Sequence, residues 1–282
     1  MARQTPPLIV GLRVTGPARH FILSPMRILL LIPVLSMLAA CGASPPDRPS
    51  TTVAAPNFSD ADPHEWDGRS PASYPVHGID ISRWQTGIDW PTAQANGVTF
   101  AFIKATEGGD LVDPAFATNW AGAGRAGVAR GAYHFYYWCR PAAEQAAWFI
   151  KHVPRTPGAL PPVLDVEWTP FSPTCTRRPP AAEVRAEALR FMQILERHYG
   201  QRPLIYTSPD FFEDNQMWQL TGHDFWLRSV AGHPQDTYDG HHWMFWQYTG
   251  TGLVPGIKGR TDINVFAGSR QTWTDWLAAQ TR

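Results

Sequence analysis

The chain has 282 residues and a formal net charge of zero, enough for one large or two small domains. That balance excludes a surface built for strong attraction to nucleic acid or anionic membrane. With 13 Trp and 14 Phe the chain can fill a sizeable core, which excludes a mostly disordered polymer.

The first stretch with a distinct character is Met26-Arg-Ile-Leu-Leu-Leu-Ile-Pro-Val-Leu-Ser-Met-Leu-Ala-Ala-Cys41. A basic residue, a short apolar run and small residues before a cysteine read as a signal peptide. The run falls short of the roughly 20 residues of a spanning helix. Leu38-Ala39-Ala40-Cys41 resembles the lipobox of bacterial lipoproteins, in which the cysteine is lipidated and becomes the mature N-terminus. Ordinary cleavage near Ala39–Ala40 and an uncleaved anchor are the other readings. Residues 1–25 make an odd leading region, which points to Met26 as the true start. Gly42 after Cys41 is not the Asp that signals inner-membrane retention, so the expected location is the periplasmic face of the outer membrane or the cell surface. Residues 42–74, rich in Pro, Ser, Ala and Asp, are expected to form a flexible tether.

A catalytic domain is expected over residues 75–282. Val76-His-Gly-Ile-Asp-Ile-Ser82 reads as its first strand, and residues 88–97 as a short helix stopping at Gly97. Val98–Thr106 is a second strand, 113–127 a helix, 128–137 a third strand and 141–152 a helix opened by proline. Leu160-Pro-Pro-Val-Leu-Asp-Val-Glu-Trp168 is the fourth strand. Residues 181–199 carry Val184, Ala188, Phe191 and Leu195 at helical spacing and stop at Gly200. Pro203–Thr207 is the fifth strand and 209–220 a short helix. Strand alternating with helix five times argues for a parallel α/β sheet. The rhythm then breaks. Residues 225–229, 242–248 and 260–264 read as strands, but the connections 230–241 and 249–259 are Gly-, Pro- and polar-rich without an amphipathic helix. A closing helix covers 271–279. Eight strands with five helical partners predict a barrel whose last third is irregular.

The fourth strand is costly unless its acids do chemistry, or pair with Arg or cap a helix at an ordinary strand end. Alternation puts Val163, Asp165 and Glu167 on one face and Leu164, Val166 and Trp168 on the other. Two close carboxylates resist ionising together, so one is held protonated, which suits a general acid. Strand ends elsewhere add Asp80, Lys104 with Glu107, Tyr133 and Phe135, Tyr206, Trp226 with Arg228, Trp246 with Gln247, and Asp262. Acids among amphipathic aromatics suit sugar rings, which offer apolar faces and polar edges. Paired acids cleave glycosides by protonating the leaving oxygen and supporting an oxocarbenium-like centre.

These residues resemble glycoside hydrolase family 25, the Chalaropsis-type lysozymes or N-acetylmuramidases. The resemblance runs through Asp80 in His-Gly-Ile-Asp-Ile-Ser, Phe102-Ile-Lys-Ala-Thr-Glu-Gly108, Gly131-Ala-Tyr-His-Phe135, Asp165-Val-Glu167, Ile205-Tyr-Thr207, Trp246-Gln-Tyr248 and Val254-Pro-Gly-Ile-Lys-Gly-Arg-Thr-Asp262. It implies a TIM-like (β/α)5(β)3 barrel that cleaves the β-1,4 bond between N-acetylmuramic acid and N-acetylglucosamine in peptidoglycan. It also implies Glu167 as general acid, Asp165 as its partner, and Asp80 and Asp262 as acids of the same pocket. Tyr133, Phe135, Tyr206, Trp226, Trp246, Gln247 and Lys104 are then expected to shape the sugar subsite. Phe225-Trp-Leu-Arg-Ser-Val230 departs from the family's Trp-x-Ala-x-Tyr-like run, which puts the contacts from that strand in doubt. A retaining, an inverting and a substrate-assisted mechanism all remain open, with retention favoured. A non-catalytic wall-binding lipoprotein, or a glycosidase for another N-acetylated glycan such as chitin, is the alternative function.

Several residues have plainer readings. His134, between Tyr133 and Phe135, is expected to be structural. Lys104 either neutralises pocket acids or forms a rim ion pair. Trp148 and Phe149 suit a helix core, and Asp89 and Asp113 suit helix starts. Ser82 and Ser208 have no partners for a hydrolase triad. Export would place Cys139 and Cys175 where disulfides persist, and a bridge between them would stabilise by roughly 3–4 kcal/mol on the chain-entropy model. No spacing suggests a metal site, no cofactor is called for, and the protein is expected to act as a monomer on a glycan strand, held to a membrane only through Cys41.

Overall fold

The computed structural model describes residues 53–280. The signal peptide, Cys41 and the first part of the tether lie outside the described residues. The chain runs β1 (Ser59–Asp60), β2 (His77–Ile81), α1 (Trp90–Ala95), β3 (Val98–Glu107), β4 (Leu111–Val112), α2 (Phe116–Arg125), β5 (Ala129–Phe135), α3 (Ala142–His152) and β6 (Val163–Val166). It continues with α4 (Ala181–Tyr199), β7 (Leu204–Thr207), α5 (Pro209–Asp214), β8 (Phe225–Arg228), α6 (Pro234–Thr237), β9 (Phe245–Leu253), β10 (Thr261–Phe266) and α7 (Arg270–Gln280).

Eight of these strands close a barrel in the order β2-β3-β5-β6-β7-β8-β9-β10, with β10 returning to β2. The pairs from β2 round to β9 are parallel. β10 runs antiparallel to both its neighbours. This is the irregular TIM-like α/β barrel, with helices α1 to α5 after the first five barrel strands and only the one-turn α6 among the last three.

Period-two alternation sorts the side chains into two cores. Phe100, Phe102, Val163, Trp226 and Phe245 fill the barrel interior, and α7 closes one end of it with Trp273 and Leu277. Leu164, Val166, Phe149, Val184, Phe191 and Leu195 form the outer layer between strands and helices. Local signals set the helix ends. Asp89 caps α1 by accepting from the Thr92 amide, and Gly200 ends α4 at φ 73°. Asp113 accepts from the amides of Ala115 and Arg83, steadying the turn before α2.

Two expectations are corrected here. Residues 53–74 were expected to be a free tether, but they form a strap packed on the barrel. β1 pairs antiparallel with β9, Ser59 opposite Leu253. Trp66 meets Trp246 edge to face at 5.2 Å, and Arg69 pairs with Asp236 at 3.0 Å. No helix lies between β9 and β10, and the strap's aromatic side chains cover part of the outer face there. Gly97, at φ +107°, lies close against the strap: a Cβ there would stand 2.5 Å from Pro56. The second correction is to the loop expected at 249–259. Thr249-Gly-Thr-Gly-Leu253 continues β9, and its glycines mark close approach rather than a turn, since a Cβ on Gly252 would stand 2.2 Å from Ile263.

Candidate active site

Each acid reaches the barrel mouth by a separate structural route. Asp165 is next to last in β6, and Glu167 follows that strand's end. Asp80 is near the end of β2. Asp262, expected at a strand's end, instead lies near the start of β10. Because β10 is antiparallel, its start meets the ends of the others, and Asp262 sits directly opposite Asp80 in the ladder.

The ring is crowded and dry. Asp80 and Asp165 are 7% and 6% exposed. Burial pushes the Asp165 carboxyl well above the usual carboxylate range, Glu167 adds to the rise, and Lys104 opposes it. Asp80 is raised by burial and by Asp262, against two amide donors. Burial raises Glu167 too, with the Arg228 guanidinium opposing and Asp210 and Asp262 adding to the rise. Asp262 is pushed up to about 6 by burial, again against Arg228. Removing charge from water costs more than the neighbouring cations return, so the ring favours shared protons.

The supports are amides and hydroxyls. Asp80 Oδ2 accepts from Gln247 Nε2 at 2.9 Å and from Asn264 Nδ2 at 2.8 Å. Tyr206 donates to Gln247 Oε1 at 2.9 Å, and Trp226 Nε1 donates to Asn264 Oδ1 at 2.7 Å. These bonds fix both amide orientations, so the acceptor side of each amide is used up and its NH2 faces Asp80. Asp165 differs: its Oδ1 is buried with no hydrogen-bond partner. An orphan acceptor of this kind is costly in the free protein.

Residues 79–257 match the family model described as Glycosyl hydrolases family 25. The chain is 39% identical over 206 residues to the uncharacterized protein YegX of Escherichia coli, spanning 71% of this chain and 73% of that one. It is 34% identical over 205 residues to Lysozyme M1 of Streptomyces globisporus, spanning 69% and 68% of the two chains. Its fold is similar to a family 25 glycosyl hydrolase from Bacillus anthracis, with a TM-score of 0.68 and 31% identity over 76% of this chain and 99% of that one. The chain belongs to glycosyl hydrolase family 25.

Seen as a family 25 site, the mouth gathers Asp80, Asp165, Glu167 and Asp262 with Tyr133, Tyr206 and Gln247. Lys104 does both things expected of it. It pairs with Glu107 at 2.6 Å and lies 4.6 Å over the Phe135 ring, while its charge also reaches Asp165. Tyr137 joins that rim by donating to Glu107.

Two expected sugar contacts are corrected. Trp246 neighbours Gln247 on β9, so it must face outward. It is fully buried against Trp66, Tyr74 and Trp243, with Nε1 on the Ser229 carbonyl. Trp226 faces inward but is 1% exposed, lying under Tyr206 at 4.4 Å between ring centroids. It carries the floor and cannot stack on a sugar.

His134 is structural, between Thr106 Oγ1 at 2.7 Å and Gln145 Oε1 at 3.1 Å. Cys139 and Cys175 form a disulfide that ties the segment after β5 to the segment after β6. Asn264 escaped the sequence reading, although strand alternation from Asp262 would have placed it on the same face. Arg228 was noticed only as a strand end, yet it is the cation opposing the charge of Glu167 and Asp262.

Proposed function

We propose that the protein is a muramidase that hydrolyses the β-1,4 bond between N-acetylmuramic acid and N-acetylglucosamine. The observation that carries this reading is the four-carboxylate mouth, in which burial raises the Glu167 carboxyl above its ordinary range. A family in which relatives are named lysozyme makes peptidoglycan the fitting substrate.

In the proposed reaction, Glu167 gives its proton to the glycosidic oxygen as the C1–O bond breaks, and the departing sugar leaves as an alcohol. Positive charge grows at C1 in a site lined by acids, where it is better stabilised than in water. The unpaired Asp165 Oδ1 fits a substrate acetamido N–H. Held there, the acetamido oxygen is turned toward C1 and attacks it, which makes the route retaining. Water then opens this intermediate and returns a proton to Glu167, completing one hydrolysis. Asp80, anchored by Gln247 and Asn264, and Asp262, faced by Arg228, set the electrostatics of the ring without leaving it.

Glu167→Gln tests the assignment. It keeps shape and removes the transferable proton, so activity on purified peptidoglycan should fall by about 10²–10⁴-fold with the fold intact by circular dichroism. Near-full activity would end the reading. Mass analysis of new reducing ends separates the alternatives: muramic acid ends support it, glucosamine ends favour another glycosidase, and binding without release favours a wall-binding module. The Cys41 anchor remains part of the proposal, placing the enzyme at the cell envelope. Fatty-acid labelling that persists in Cys41→Ser counts against that anchor.

A further inference from the structure

Beside the acid mouth lies a cleft of about 840 Å³ between the strap and the rim of β9 and β10. Its volume falls within the range of about 300–1,000 Å³ typical of ligand sites. Its lining includes Arg228 and Gly250. Arg228 is the cation that acts on Glu167 and Asp262. Gly250 abuts Asp262, since a Cβ there would stand 3.0 Å from its Oδ1. The cleft therefore abuts the acid ring at Asp262. Thr249 and Thr251 of β9 and Phe58, Asp62 and Trp66 of the strap also line it.

This wall is built rather than incidental. Asp60 Oδ1 takes the Thr251 hydroxyl at 2.5 Å and the Asp62 amide at 3.0 Å. Trp66 is wedged between His64 at 4.6 Å and Trp246 at 5.2 Å. The strap precedes residues 79–257, which carry the family match, so the barrel chemistry by itself does not require it.

We propose that this cleft is an accessory glycan subsite, in which sugars beyond the cleaved bond are held between strap and barrel. The proposal rests on the muramidase reading, because a polymeric substrate must leave the acid mouth along some surface. The occupant follows from the lining. Aromatic rings beside hydroxyls and acceptor oxygens match the apolar faces and polar edges of N-acetylated sugar rings. Only long strands reach the cleft, so it adds affinity for polymer and nothing for a minimal substrate.

Ala72 is exposed and lines the cleft, so Ala72→Trp fills it from outside without removing a hydrogen bond. The paired change Asp62→Ala with His64→Ala, both exposed, is the second probe. Peptide-free glycan strands and a tetrasaccharide serve as substrates, and binding of the strands is measured in the Glu167→Gln background. Each probe should raise KM for long strands and weaken strand binding by about tenfold, with tetrasaccharide turnover unchanged and the thermal transition kept. Equal losses on both substrates, or no loss on strands, overturn the subsite. Displacement by free stem peptide but not by glycan overturns it too, in favour of a peptide groove. A wild-type protein that cleaves neither substrate sinks the muramidase reading alone. The binding measurement then decides the cleft: sensitivity to Ala72→Trp supports it, and indifference overturns it.

Discussion

The outer wall of the barrel is covered in two ways. Around β3, β5, β6 and β7 the cover is helical and local: α4 follows β6 in the chain and lays Val184, Phe191 and Leu195 against the strands. Around β9, β10 and β2 the cover is the strap, brought from far away in sequence, since Asp60 bonds Thr251 across 191 residues. The helical side holds the strand that delivers Asp165 and Glu167. The helix-free side is patched, keeps a cleft, and supplies Gln247, Asn264, Asp262 and Arg228. One side thus fixes the reacting acid, and the other tunes and extends its surroundings.

Each side has a buried amide, and exchanging their fates is the strongest way to break that division. Asn264→Leu takes one donor from Asp80 and the acceptor from Trp226 Nε1. It should cut kcat on peptidoglycan by about 10–100-fold, the scale of one hydrogen bond to a charged group of about 1.5–3 kcal/mol. Gln145→Leu strips His134 and the Tyr137 amide of their partner on the helical side. It should cost roughly 1–3 kcal/mol of stability and leave kcat within a few-fold. Denaturant midpoints and steady-state kinetics on both variants check this, and a reversed pattern would dissolve the division.

Asp262 offers a smaller test with an unusual sign. Its folded pKa of about 6 lies above the ordinary 3.8, so its contribution to stability is present below about 3.8 and lost as pH rises through about 6. Near neutrality the folded protein carries a charge it would rather not hold. Asp262→Asn should therefore stabilise by about 1–3 kcal/mol at pH 7 and by almost nothing at pH 4, while lowering activity. Urea unfolding at the two pH values reads the difference. Equal gains at both would remove charge burial as the cause.

Much of this was legible in the residues, and the failures follow the same division. The helical side advertised itself because strand, turn and amphipathic helix are adjacent in the chain, and α4 matches the expected 181–199. Asp165 and Glu167 stood out as acids in an apolar strand. The strap was hidden because its composition is that of a linker and its only strand is two residues long, so nothing local distinguishes it from a free tether. Trp246 was misplaced because aromatic content outweighed alternation: once Gln247 points inward, its neighbour cannot. Asn264 was missed although alternation places it on the face of Asp262, because an amide draws less notice than an acid while its partner lies 184 residues away.

Two buried histidines, His77 and His134, give the subtlest probe of the comparison. Burial lowers both His77 and His134 to about 4. Each therefore contributes stability that is complete above about 6.5 and is lost as pH falls from there to about 4, because the unfolded chain takes up the proton first. Their escape routes differ. His134 is enclosed by Thr106, Gln145 and Phe191, so only global unfolding hydrates it. His77 touches the strap, through the Tyr74 carbonyl at 2.9 Å and the Phe58 ring at 6.0 Å, so lifting the strap is enough. Between pH 6.5 and 4.5 the strap should open more easily by about 2 kcal/mol. Amides of residues 57–74 would then exchange roughly thirtyfold faster, after correction for intrinsic rates, while those of α3 and α4 follow global stability alone. In His77→Gln that extra acid sensitivity of the strap should vanish. If strap and helices instead lose protection in step, the strap is as integral to the barrel as its helices, and the two sides differ only in how the chain reaches them.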